Sequence, residues 1–330
     1  MFLIPSAFLK SGVNKSMSIS KSKVKENKIK ISIKELKRQR ILLIWSAIIV
    51  IYGIVLYYLP LVGWVMAFQD YKPQSGILYS AFIGLEKFIN LFTDITFIQT
   101  VRNTLAMGVI NMIASFVTAI IFAILLNEIR CKGGKSIVQT ISYLPHFLSW
   151  IIVTGILHDA LSSSGIINEL LVRFNIISQP INFFAHPKFF WPIVAYGNVW
   201  KETGWNAIIY LAAITAIDPC LYEAASIDGA GRWAKIKSIT LPGLKPTIIV
   251  LLLMNVGNVI NAGFEIQYLL GNGLVISVSQ TIDIYVLKWG ISQGDYSLGT
   301  AAGIFKSLVS IILIVIANEL ARRNGEERLF

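Results

Sequence analysis

The chain has 330 residues, of which 55% are hydrophobic and 14% charged, and its mean hydropathy is +0.66. Such a composition excludes an ordinary soluble domain and calls for a bilayer around its long apolar runs. The net charge of +11 suggests nucleic acid as a partner only until its location is read, because the excess sits directly before the first apolar run.

Residues 1–40 hold eleven Lys and Arg against two acids, Glu26 and Glu35. A basic tail beside a span is held on the cytoplasmic side by anionic lipid, so no nucleic acid partner is expected. The opening MFLIPSAFLK is too brief an apolar run for a signal peptide. An all-α polytopic membrane protein follows, with a six-span domain over 41–320 and a short cytoplasmic tail over 321–330. The spans are expected at about 41–68, 104–126, 137–158, 189–213, 246–264 and 299–320, each near the ~20 residues that cross the hydrocarbon core.

Pro60 predicts a kink or short break in span one. In FIGLEKFINLF, residues 82–92, Phe82, Leu85, Phe88 and Ile89 share one helical face. Span two carries Asn111, Ser115 and Thr118 on one side, read as interhelical glue. The turn after it contains Gly133-Gly134-Lys135-Ser136, the end of a phosphate-binding loop in appearance. The pattern needs a glycine five residues before Gly134, where Ile129 stands, so the stretch reads as a basic turn without a nucleotide site. In span three Pro145 frees a backbone carbonyl, and His146 reads as a hydrogen-bonded structural group.

Charges inside spans are costly and each asks for a reason. In NVWKETGWN of span four, Asn198, Lys201, Glu202 and Trp205 fall at i, i+3, i+4 and i+7, on one helical side. Lys201 and Glu202 either pair with each other or across helices. Trp200 and Trp205 are flat apolar plates of the kind sugars stack on, or plain packing. Span five carries Asn255, Asn258 and Asn261, with Glu265 at its end. Asn258, Asn261 and Glu265 form a stripe that faces the interior as solute path or as interhelical glue. Span six opens with the small-residue face Gly299–Gly303, and Lys306 on that side needs a partner carboxylate or a wet cavity.

Between spans four and five lies EAASIDGAGRWAKIKSITLP, residues 223–242. Asp218-Pro219 predicts a helix start, Gly229 a left-handed stop for a helix over Cys220–Asp228, and Pro242 the end of a second helix from about Arg232 to Ile239. Two short helices suit docking into a groove, with Ala224 and Ala225 permitting close approach and Glu223 offering a carboxylate. With the N-terminus inside, the inside segments carry 21 Lys and Arg and the outside segments six, which places this loop in the cytoplasm. The cysteines, Cys131 and Cys220, also fall in inside loops, and the histidines, His146, His158 and His186, are scattered. Neither a disulfide nor a metal site is expected.

The pattern EAA-x3-G-x9-I-x-LP resembles the EAA loop of the membrane-spanning subunits of binding-protein-dependent ABC importers. With YLPHFLSW (143–150), GIIN (165–168), VWKETGW (199–205) and IDPCLYEAASIDGAGR (217–232), residues 40 to 320 look like a maltose-type sugar permease, closest to the LplB- and YteP-like oligosaccharide permeases. Ile83 and Lys87 depart from the F-V-G-L-x-N-F stretch of that family. The resemblance implies a transport subunit and not an enzyme. It implies docking through Glu223, Ala224, Ala225, Asp228, Gly229, Ile239, Leu241 and Pro242. The substrate path is expected at Trp200, Lys201, Glu202, Trp205, Asn255, Asn258, Asn261, Glu265 and Lys306 from their place inside the spans and their cost if turned to lipid. The resemblance further implies a second homologous permease, two ATPase subunits that use ATP and Mg, an extracytoplasmic solute-binding protein and an oligosaccharide substrate. Location in the cytoplasmic membrane with both termini inside goes with it. Alternatives are an ATP-linked membrane sensor, or a multispan enzyme acting on lipid-linked sugars, which needs paired acids or a metal cluster.

Overall fold

The computed structural model describes residues 38–323; the basic N-terminal tail, up to residue 37, and the end of the C-terminal tail lie outside them. The described chain divides at Pro60 into two compact units. In the first, α1 (Arg40–Gly53) runs into a π-helical turn, Ile54–Tyr58, and its apolar side chains are exposed, Trp45, Ile49 and Tyr57 among them. The expected break at Pro60 takes this form. Proline has no N–H, and its ring crowds the carbonyl four residues back, so a widened turn before it relieves both problems. The 3₁₀ segment Leu59–Phe68 follows.

The second unit is helical apart from the short antiparallel pair β1 (Gln69–Asp70) and β2 (Ala81–Phe82). Besides the four-residue helical turns Gly76–Tyr79 and Ile276–Ser279, its α-helices are α2 (Glu86–Thr93), α3 (Ile95–Glu128), α4 (Lys132–Tyr143), α5 (Trp150–Leu161), α6 (Ile166–Arg173), α7 (Pro187–Thr215), α8 (Pro219–Ile227), α9 (Arg232–Lys235), α10 (Leu241–Val256), α11 (Phe264–Leu270), α12 (Ile282–Tyr285) and α13 (Tyr296–Arg323). Among the described residues five helical stretches are long and apolar enough to cross a membrane, six if α7 and α8, bent by 68°, count as one.

The long helices α3 and α7 pack along each other. One apolar cluster joins them through Ala119, Ala123, Ala207 and Tyr210, with Leu244 of α10. A second gathers Phe190, Val194, Val153 and Ile266, and a third Phe97, Tyr285, Ala301 and Ile304. Close approach depends on small residues. A Cβ on Gly204 of α7 would lie 2.1 Å from the Ser142 carbonyl, and one on Gly299 of α13 would lie 2.8 Å from the Gly290 Cα. The small-residue face of span six thus packs at Gly299, whereas nothing lies within 4 Å of a Cβ at Gly303. Asp94 caps α3 by accepting from the Thr96 N–H at 2.8 Å and also accepts the Tyr285 hydroxyl at 3.0 Å. Burial first, then the Asp94 hydrogen bond and charge, push the Tyr285 phenol well above its ordinary range.

The structure corrects five expectations. Span three is not one helix over 137–158: α4 stops at Tyr143, a 3₁₀ turn covers Leu144–Phe147, and α5 begins at Trp150 behind the Ser149 cap. Pro145 and the serine cap override continuous hydropathy there. Span five does not reach 264, because α10 ends at Val256 and Gly263, at φ 88°, begins a separate helix. The second docking helix does not stop at Pro242. Arg232–Lys235 passes through a π turn, Ile236–Thr240, straight into α10, with Pro242 in its first turn, where its missing N–H costs nothing. The GGKS stretch opens α4 and is no turn. Phe82 lies in β2 and Leu85 stands before α2, so Phe82, Leu85, Phe88 and Ile89 do not form the one helical face expected of them.

Candidate functional site

A cleft of about 320 Å³ opens between α3, α7, α10 and the turn after α10. Six asparagines line it: Asn111, Asn198, Asn206, Asn255, Asn258 and Asn261. Glu202, Ser115 and Tyr210 add a carboxylate and two hydroxyl-bearing side chains, and Phe116, Ile209, Leu251 and Val259 supply apolar wall. Asn198, Glu202 and Asn206 follow one another at i, i+4 and i+8, so α7 turns one continuous polar stripe to the cleft. Asn258 and Asn261 reach it from the turn, where the Asn261 amide donates to the Asn258 side-chain oxygen at 3.3 Å. The Asn111 amide donates to the Ala262 carbonyl at 3.4 Å and so pins that turn to α3. The backbone polar groups freed by the end of α10 therefore lie against a polar space, the condition under which irregular backbone is tolerated at membrane depth.

Behind Glu202 stands a charged cluster. His146 Nδ1 lies 2.8 Å from Glu202 Oε2, and Lys201 Nζ lies 3.4 Å from Oε1. Lys201 is only 5% exposed; it donates to the His146 carbonyl and lies 5.4 Å from the Trp150 ring centroid. That carbonyl belongs to the broken segment between α4 and α5, where the helix no longer supplies a partner, and the ammonium takes its place. Trp205 stacks on the His146 ring, centroids 4.4 Å apart and planes 3° from parallel. Both sequence readings of Lys201 and Glu202 hold, since the two pair with each other and across helices. His146 is hydrogen-bonded, as expected.

The expected path residues therefore separate. Glu202, Asn255, Asn258 and Asn261 line the cleft; Lys201 and Trp205 back it through His146. Trp200 faces the other side of α7, among Ile156, Phe189, Ile193 and Tyr196. Glu265 is exposed on α11, away from the stripe that a single helix would have given it. Lys306 has found its carboxylate in Asp283, at 2.6 Å. Asn206, Tyr210, Asn111 and Ser115 were missed as lining residues. The i+4 step from Glu202 marks Asn206; Asn111 is glue as expected, holding the Ala262 carbonyl, and lines the cleft as well, as does Ser115. Thr118, on the same face, does bridge helices, 3.0 Å from the Thr203 hydroxyl.

At the far end of α7 the Asp218 carboxylate accepts from the Cys220 N–H at 2.9 Å and starts α8 behind Pro219. Gly229, at φ 76°, closes α8, with the Ala230 N–H donating to the Ala225 carbonyl at 2.8 Å; this is the left-handed stop that the sequence predicts. The Tyr222 hydroxyl meets Thr240 at 2.9 Å, and Lys235 Nζ donates to the Ser226 hydroxyl at 2.6 Å, so α8 and α9 are braced as a pair. Glu223, Ala224, Asp228, Gly229, Leu241 and Pro242 are exposed, and Ala225 and Ile239 half-buried. Beside them two large apolar side chains stand in the open, Ile227 at 87% and Trp233 at 83% exposure. Cys131 and Cys220 are exposed and unpaired, and no cluster that would hold a metal occurs among the described residues.

Residues 115–325 match the family described as binding-protein-dependent transport system inner membrane component. The chain is 45% identical to the polygalacturonan/rhamnogalacturonan transport system permease protein YteP of Bacillus subtilis strain 168, over 85% of this chain and 87% of that one. It is 41% identical to protein LplB of the same organism, over 85% and 88%. Among solved structures it superposes on a chain of a bacterial alginate ABC transporter, in complex with an alginate pentasaccharide-bound periplasmic protein. The TM-score is 0.82 at 36% identity, covering 90% of this chain and 99% of that one. The cleft between spans, the braced pair of helices beyond α7 and these likenesses lead to one conclusion: the chain belongs to the binding-protein-dependent transport system inner membrane components, and is a multi-pass permease subunit of an ABC importer.

Proposed function

We propose that the chain builds half of the membrane path for an oligosaccharide and is driven through α8 and α9 by separate ATPase subunits. The observation that carries this reading is the cleft itself, six asparagines and a clamped carboxylate on three helices and one turn. Amides offer both donors and acceptors, the pairing that a hydroxyl-rich solute needs when it leaves water. The same groups turned to lipid would be costly, so the open side of the cleft is closed by a second, homologous permease. The names of the relatives, a polygalacturonan/rhamnogalacturonan permease and an alginate importer, support a sugar polymer fragment as cargo.

Docking rests on the exposed Ile227 and Trp233 beside Glu223, an apolar pair with a carboxylate that suits a groove on an ATPase. ATP and Mg are used there and not on this chain. The distribution of Lys and Arg puts this pair of helices and both termini in the cytoplasm, and an extracytoplasmic binding protein delivers the solute on the opposite side. The test is ATP-driven uptake into proteoliposomes holding this chain, its second permease and the ATPase subunits, with the binding protein outside. Uptake of labelled oligosaccharide that needs both ATP and the binding protein is expected. ATP hydrolysis responsive to the binding protein without any uptake would instead identify a sensor.

A further inference from the structure

A pocket of about 260 Å³ opens where the end of α3 meets the braced pair α8 and α9. Three cations converge on it, Arg130 from the loop after α3 and Arg232 and Lys235 from α9. Glu128, the last residue of α3, is the one carboxylate among the described residues of the wall, so the pocket keeps a surplus of positive charge. Glu128 does little to quench it, since its carboxylate lies 3.9 Å from Arg232 Nε, too far for a hydrogen bond. Lys235 gives one N–H to Ser226 and keeps the others. The side chains of Arg130 and Asn127 make no hydrogen bond or ion pair among the described residues. The Tyr222 and Thr240 hydroxyls, 2.9 Å apart, complete the wall. Its donors lack an acceptor of several oxygens and negative charge.

The place of the pocket in the membrane narrows the choice. The apolar run of α3 ends at Leu126, which puts Glu128 and Arg130 at the level of lipid headgroups. Ile113, Val117, Ile121 and Leu125 follow one another on α3 at steps of four, all of them exposed, and the stripe leads to Glu128. By helical phase it lies opposite Ser115 and Ala119, which face the cleft. An apolar stripe on the outer side of a span, ending in a cationic pocket, matches an acyl chain that leads to its phosphate.

We propose that this pocket binds the phosphate of an anionic membrane lipid, and that the bound lipid clasps α9 to the end of α3. Arg130 and Arg232 take phosphate oxygens as charge-assisted, two-pronged donors, Lys235 adds a point charge, and an acyl chain lies along the stripe. The clasp carries motion of α8 and α9 to α3, a wall of the cleft; this consequence rests on the docking proposed above. Water fills such a pocket without relieving the repulsion among three cations, and a soluble phosphate leaves the stripe unused.

The test uses the assembled importer in detergent, with phosphatidylglycerol, phosphatidylcholine and glycerol phosphate as probes and native mass spectrometry as readout. Phosphatidylglycerol is expected to be retained, and the other two at least tenfold more weakly. Arg130→Gln, outside the docking residues, should weaken phosphatidylglycerol about tenfold, the loss of one charge-assisted contact. Glu128→Gln should tighten it severalfold, because a competing carboxylate is gone. In proteoliposomes, ATP-driven uptake should rise severalfold when phosphatidylglycerol is added to phosphatidylcholine, and Arg130→Gln should blunt that rise. Equal retention of phosphatidylglycerol by wild type and Arg130→Gln overturns the proposal, the basic N-terminal tail then holding the lipid. Glycerol phosphate bound as tightly as the lipid also overturns it, the ligand then being a soluble phosphate. So does an Arg130→Gln variant that loosens the ATPase subunits and keeps the lipid, the cations then being contacts of the ATPase. Lipid bound as stated with uptake indifferent to it overturns the clasp. If the lipid binds as stated and no uptake occurs in any lipid, the docking reading fails and the lipid site stands.

Discussion

His146 Nδ1 lies 2.8 Å from Glu202 Oε2, and this contact ties the break between α4 and α5 to the wall of the polar cleft. Lys201 completes the tie, pairing with Glu202 and donating to the His146 carbonyl. Lys201→Met strips the cation from a buried site and leaves a carboxylate and a carbonyl short of a donor. A loss of about 1–3 kcal/mol is expected, the usual cost of such orphaned groups. Thermal unfolding of the purified subunit complex measures it. The double variant Lys201→Met/Glu202→Gln should recover part of the loss, because the uncompensated charge is gone. Full additivity of the two single losses would mean that the pair is not coupled.

Two glycines give a contrast that needs no knowledge of the solute. Gly204→Ala drives a methyl to 2.1 Å from the Ser142 carbonyl and 2.5 Å from its carbon, which is backbone and has little room to move. Assembly yield should fall, with a cost of about 1–3 kcal/mol or more for the overpacking. Gly303→Ala meets nothing within 4 Å on α13 and should be neutral or stabilising by up to ~1 kcal/mol through helix propensity. Equal stability of the two variants would contradict the packing described at α7.

Gly229→Val forces a β-branched residue to φ 76° at the end of α8, a conformation that costs roughly 1–3 kcal/mol outside glycine. Membrane insertion should survive and ATP-driven uptake should drop by tenfold or more, because α8 and α9 lose their mutual angle. Glu223→Ala should lower uptake with the fold intact. Both variants transporting normally at normal expression would remove the docking role from this pair of helices.

Sidedness is tested by two cysteines. One at Ser163, between α5 and α6, should react with an impermeant thiol reagent added outside cells in which Cys131 and Cys220 are replaced by serine. One at Ser238, in the π turn after α9, should react only after the membrane is opened. The opposite pattern would invert the orientation read from Lys and Arg.

The parts of this molecule that local chemistry decides were legible in the sequence. Asp218-Pro219 and Gly229 fix both ends of α8 within a residue or two, because a cap and a left-handed stop act on their own turn. Asn168 was legible only as a motif member. In the structure it is 1% exposed and binds the Ser162 and Ile181 carbonyls and the Ile181 N–H, tying down the loop after α6. That Lys306 needs a carboxylate or a wet cavity followed from the cost of a lone ammonium. That the carboxylate is Asp283 did not, since a contact across 23 residues is set by how α12 and α13 pack. The asparagine stripe of span five was drawn on a helix that Gly257 and Gly263 do not continue. Those glycines were visible, set among Asn255, Asn258 and Asn261 in the most polar of the six expected spans. The break at 144–149 was hidden among apolar neighbours, with Pro145 its one signal.

The solute path is tested most directly by a single cysteine at Asn206, in a background free of Cys131 and Cys220, since this residue lines the cleft on α7 and lies outside the charged cluster. Uptake into proteoliposomes is measured before and after treatment with a membrane-permeant thiol reagent, with and without oligosaccharide, binding protein and ATP. The expected result is active uptake that the reagent abolishes, with labelling slowed severalfold when the solute is being transported. Full labelling that leaves uptake unchanged, or labelling indifferent to the solute, would contradict the assignment of this cleft as the path.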